Sequence, residues 1–166
     1  MRRFIRGFLL FALGGLFGVA AGFAAGIWFC PYIFPLEPSN HVLTQEEAQA
    51  QVVAEGTFIH ANPRDPIHWG KGSVSVYKNM IYLKPDFEVG PGPDYRVLLV
   101  PKSGIKTNAD VREVLSKSAD LGQIQAFKGG QRYAIPANIN LADYQSVVIW
   151  CRQFGALISP ATLEKK

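Results

Sequence analysis

The chain has 166 residues, a formal net charge of +4 and only two cysteines. Arg2, Arg3 and Arg6 stand ahead of a long apolar run, and setting them aside leaves 14 basic against 13 acidic residues. That balance provides no basic patch for nucleic acid, and with three histidines and two cysteines at opposite ends of the chain a closed Cys/His zinc site lacks ligands in reach of one another.

Residues 7–36 carry no charged side chain. Phe8 to Phe29 is long enough, at the helical rise, to cross a hydrocarbon core of about 30 Å. The sequence therefore predicts a cytoplasmic amino terminus over 1–7, a transmembrane helix over 8–30, a linker over 31–55, a β domain over 56–163 and a tail over 164–166. Topology follows from charge: three arginines precede the span and the next basic residue is Arg64, so the amino terminus is expected inside and the body outside. The body would then be periplasmic or extracellular. Trp28, Phe29, Tyr32 and Phe34 fall where the outer interface is expected, and Pro31, Pro35 and Pro38 predict an end to the helix near Cys30. Small residues around Gly18 to Gly22 would also suit a cleaved signal peptide. The apolar run continues past them, and the expectation is a retained anchor. Ile27-Trp28-Phe29 is too bulky for a lipobox before Cys30.

Gly14, Gly18, Gly22 and Gly26 recur at every fourth residue. This zipper-like stripe bares one helix face to a second transmembrane helix, from another copy or from a partner complex. The bland alternative is the ordinary richness of bilayer helices in small residues.

Thr44-Gln45-Glu46-Glu47 has capping-box spacing and predicts a short helix to about Ala54, the alternative being a solvated linker. From Gly56 short strand-like runs are broken by Gly, Pro and Asn. Strands are predicted at Thr57–His60, at Ser73–Tyr77 with a hairpin through Lys78-Asn79 into Met80–Lys84, and at Tyr95–Val100 after a Gly-Pro turn. One helix is expected over Ala109–Lys117, capped by Asn108. Further strands are placed at Gln123–Phe127, Gln131–Ile135 and Ser146–Phe154, with Gly129-Gly130 as a turn. The fold class is all-β, an antiparallel sandwich or small barrel with one short helix behind a transmembrane helix.

The pieces Gly56-Thr57-Phe58, His68-Trp69-Gly70-Lys71-Gly72, Gly92-Pro93-Asp94, Lys128 to Pro136, and Tyr144 through Trp150-Cys151 to Phe154 occur together in one order. They resemble the DM-thirteen domain family, the DOMON-associated, Skeletor-type domain, over roughly residues 56–163. The resemblance implies an extracytoplasmic β-rich domain with a proposed part in electron transfer. It places the redox or ligand role at Cys151, as a bare thiol or as a ligand of haem or a metal ion. No DOMON or cytochrome partner domain accompanies it here, so an electron donor would be a separate protein.

Read from the residues, Cys151 shares a strand face with Val147 and Ile149, and Arg152 points the other way. An apolar face raises a thiol pKa and disfavours the reactive thiolate. A ligand role would take His68 and His60 as co-ligands, and a third reading is a small buried hydrophobe. No His or Met follows Cys151 at type-one copper spacing. With no Cys-x-x-Cys-His, covalent c-type haem is excluded. Cys30 and Cys151 lie at opposite ends of the chain, and no bridge is expected between them. His68, beside Asp65 in a loop, reads as a hydrogen-bonded surface group or as a ligand. Asp94 is expected to tie its turn to backbone amides. No catalytic constellation stands out. Two functions are therefore carried forward: a redox accessory centred on Cys151, and a non-catalytic module docked through the glycine stripe.

Overall fold

The computed structural model describes residues 2–34 and 37–166, excepting the side chains of Arg2, Trp28, Pro31 and Tyr32. The interface roles expected of Trp28 and Tyr32, and the helix stop expected of Pro35, lie outside what is described. Two compact units emerge, Met1–Pro35 and Leu36–Lys166.

The first unit is one helix, α1 (Arg2–Ile33). Its stretch Arg3–Ile27 is long and apolar enough to cross a membrane, and none of that window is buried by the rest of the chain. The helix ends at Ile33 rather than near Cys30. Pro31 sits in the last turn, where its missing N–H removes a single bond, and Phe34 N–H still reaches the Cys30 carbonyl at 2.8 Å.

The second unit is one antiparallel sheet curled into a half barrel, in the order β1-β8-β4-β3-β2-β10-β9-β6-β7. Its strands are β1 (Ser39–Asn40), β2 (Val52–Phe58), β3 (Gly70–Tyr77), β4 (Met80–Leu83), β5 (Glu88–Val89), β6 (Tyr95–Val100), β7 (Ala119–Gln123), β8 (Gly129–Ala134), β9 (Ser146–Cys151) and β10 (Ala156–Lys165). β5 adds to β3, and the short β1–β8 pair is parallel. The concave side holds the main core, including Val74, Ile81, Leu83, Phe87, Val97, Leu99, Val147, Ile149 and Ile158. Such side chains stabilise the fold by about 1.5–3 kcal/mol each. On the convex side α3 (Asn108–Val114) covers Leu98, Val148, Trp150 and Leu157 with Val111 and Val114. Alternation along β9 sends Val147, Ile149 and Cys151 inward and Val148 and Trp150 outward, as period two requires.

Several elements depart from expectation. The helix at Thr44 forms with its capping box but covers only α2 (Gln45–Gln49). Val52-Val53-Ala54 instead join β2, where pairing to β3 and β10 outweighs a helix too short to persist alone. Thr107, not Asn108, caps α3. Asn108 Oδ1 accepts from Leu157 N–H at 2.7 Å, tying the helix to β10. The strand expected at Gln123–Phe127 lies earlier, as β7. Gly129 and Gly130 begin β8 rather than form a turn, and Gly129, with φ +96°, lets β1 pass against it. β10 went unanticipated because Pro160 interrupts its pattern. The proline remains in the ladder by its acceptor alone, its carbonyl taking Ile59 N–H at 3.1 Å. Gly72, with φ +107°, has no room for a Cβ, which would lie 2.5 Å from Phe87 Cα. Only glycine lets the segment before β5 fold back over β3.

Candidate functional site

Cys151 closes β9, opposite Tyr95 of β6 and Ala156 of β10. It is 1% exposed. Its thiol donates to the Pro93 carbonyl at 3.3 Å. Burial pushes the thiol pKa up, the amides of Phe154 and Gln153 oppose that shift, and the nearby Asp94 charge adds to it.

The turn over the thiol is pinned from outside. Arg152 N–H donates to the Asp94 carbonyl at 3.1 Å, and Arg152 Nε donates to Asp94 Oδ2 at 2.8 Å. Asp94 holds φ +46°, uncommon for a residue with a Cβ. Its carboxylate therefore engages a guanidinium rather than the turn amides expected of it. Arg152 lies in the turn just past β9 with its side chain largely exposed, whereas the thiol is buried.

His60 and His68 both serve Asp65. The Asp65 carbonyl meets His60 Nε2 at 2.8 Å, and its Oδ2 meets His68 Nδ1 at 2.7 Å. Oδ1 accepts the amides of Ile67 and His68 at 3.0 and 3.1 Å. The His68 bond foremost, with those amides, holds the Asp65 carboxyl down at about 2. Among the described residues no three His, Cys, Asp or Glu side chains gather as a metal site, so Cys151, His60 and His68 do not converge. Both cysteines are free thiols, with Cys30 exposed on α1.

The surroundings of Cys151 do not fit a haem or a metal ion. The thiol is packed on an aliphatic face, bonds a backbone carbonyl and, among the described residues, belongs to no group of three His, Cys, Asp or Glu that could hold a metal ion. What the site supplies is a single shielded thiol beneath a clamped turn.

Two features had no signal in the sequence. Gln131 is wholly buried in β8. It accepts from Gln125 N–H at 2.8 Å and Tyr133 hydroxyl at 2.7 Å, and donates to the Ala126 carbonyl at 2.8 Å. It thereby fastens segment 124–127 across the end of the sheet, and burial pushes the Tyr133 hydroxyl pKa up. The second feature is a cavity of about 750 Å³ that His68 shares with Lys106 and Arg112. Residues so far apart in the chain meet only through the fold.

A curled antiparallel sheet enclosing one thiol, in a chain that also carries a helix long and apolar enough to span a membrane, defines a small β-domain protein. The family model described as "Electron transfer DM13" matches residues 64–163, more than half of the chain, and the chain belongs to that family. No curated protein and no solved structure matches it.

Proposed function

We propose that this chain is a membrane-anchored accessory of electron transfer. In this reading α1 holds the protein in the bilayer with its amino terminus on the cytoplasmic side. The β unit faces the periplasm or exterior, and Cys151 is the residue through which it engages a separate redox protein. The observation that carries the reading is the electron-transfer family match across the strands that build the Cys151 site. The charge asymmetry about α1 supports the orientation. A bare thiol fits the packed surroundings better than a bound group, and its chemistry waits on movement of the 90–94 turn. The test compares the steady-state reduction level of membrane electron carriers, read by absorbance in intact membranes. Chain-containing, chain-free and Cys151→Ser membranes are measured side by side. Cys151→Ser should match the chain-free membranes while its β unit stays folded; indistinguishable levels in all three would end the proposal.

A second reading is a non-catalytic module docked by its helix. It is favoured by the open space beside Gly14, Gly18, Gly22 and Gly26, where an added Cβ meets nothing within 4 Å. The occupant would be a second copy or another membrane protein. Leucine at Gly18 and Gly22 should strip a co-purifying partner without unfolding the β unit. Identical assemblies before and after the change would refute docking through this face.

A further inference from the structure

The cavity beside His68 has a charge pattern with no structural use. It is bounded by Asn62, Asp65 and His68 on one side, Lys106 and Arg112 on another, and Ala156 and Leu157 of β10 at its base. The acidic groups near the two cations are committed elsewhere. Asp110 takes Lys102 Nζ at 3.0 Å, Thr107 Oγ1 at 2.8 Å and the amides of Lys106 and Thr107. Glu113 takes the same lysine at 2.7 Å. Asp65 is saturated by His68 and two amides. Among the described residues the Lys106 ammonium has no ion pair, and Arg112 spends only Nη2, on the Gly155 carbonyl at 2.9 Å.

The imidazole completes the arrangement. An ionised Asp65 only accepts, so His68 Nδ1 carries the proton toward it. A neutral His68 then offers Nε2 as an acceptor. Two unspent cations beside an acceptor nitrogen describe a ligand that is anionic and bears an acidic hydroxyl. Two cations lining one cavity disfavour a metal ion there, and a plain carboxylate leaves Nε2 without a donor.

We propose that this cavity binds phosphate, free or as a phosphomonoester group, with Arg112 and Lys106 meeting its oxygens and His68 Nε2 meeting its P–OH. Arg112 supplies a planar donor pair and Lys106 a point charge, the two usual partners of phosphate oxygens.

The test uses the full chain in non-ionic detergent, with amide NMR signals of Ala61, Ala109 and Ala156 followed at constant ionic strength. Sodium phosphate, glycerol 3-phosphate and micelles doped with phosphatidic acid are titrated separately. Saturable shifts with either soluble anion assign a free ligand; saturation only with phosphatidic acid assigns a lipid headgroup. In both cases Lys106→Gln and Arg112→Gln should each weaken binding about tenfold or more. Lys106→Gln keeps the test decisive if Arg112→Gln disturbs the fold. Cys151→Ser should bind with unchanged affinity, so the site stands or falls apart from the redox reading. No saturable shift with any of the three, or affinity unmoved by Lys106→Gln, overturns the proposal.

Discussion

At Cys151, solvation decides the chemistry. Burial favours the neutral thiol, and the Pro93 carbonyl gives it a partner only while it keeps its proton. In a Cys30→Ser background, Cys151 should react with a small maleimide at pH 8 about a hundredfold more slowly than in urea. Equal rates would show an open thiol. Because its folded pKa is raised, Cys151 contributes stability that is present below the ordinary thiol range and lost as pH climbs through the folded value. Asp65 works in the opposite sense. Its folded pKa, about 2, lies below the ordinary value of 3.8, so its contribution is present at neutral pH and lost as pH falls from about 4 toward 2. The protection of the Ile67 and His68 amides, measured against the intrinsic exchange rate at each pH, should fall across that interval in the native chain. Asp65→Asn should exchange quickly already at pH 6, and protection there equal to the native chain would contradict the role given to Asp65. The His68–Asp65 pair was legible in the sequence because the two lie three residues apart in one loop. The Asp94–Arg152 clamp was not, because 58 residues separate its partners.

At the scale of elements, alternation read correctly wherever one strand face is buried. β3, β4, β6 and β9 all sit close to where period two and turn residues place them. It failed where the ladder depends on something a pattern does not contain. β10 carries Pro160 and a register shift between Leu157 and Ser159, yet it stands between β2 and β9 in the sheet. Segment 124–127 looks strand-like but has only single backbone bonds at its ends, Ile124 N–H to the Tyr95 carbonyl and Val89 N–H to the Phe127 carbonyl, and is held in its middle by the Gln131 side chain. Gln131→Leu should therefore cost about 2–4 kcal/mol, since it strands the Ala126 amide and carbonyl and leaves the Gln125 amide and the Tyr133 hydroxyl only each other. Urea denaturation of the full chain in detergent measures this directly. A loss below about 0.5 kcal/mol, the range of ordinary surface substitutions, would show that the network is not what fixes the segment.

At the scale of the molecule, the sequence divides cleanly between a lipid-compatible helix and a water-facing fold. The membrane-length helix was legible because one physical property, the absence of charge over a bilayer's thickness, marks it. The half barrel was legible as a class because short strands with Gly and Pro punctuation leave few other architectures. The electron-transfer role we propose would rest on the assembled site, in which strand β9 delivers a thiol to the core and the Pro93 carbonyl of the 90–94 turn accepts from it. The most direct measurement poises native membranes at a series of potentials, quenches and denatures them in acid, alkylates the free thiols then exposed, and reads Cys151 by mass spectrometry. The account predicts that Cys151 passes, within the working potential range of those membranes, from alkylatable to protected, and back again on reduction with dithiothreitol. A Cys151 that stays a free thiol at every potential would contradict it.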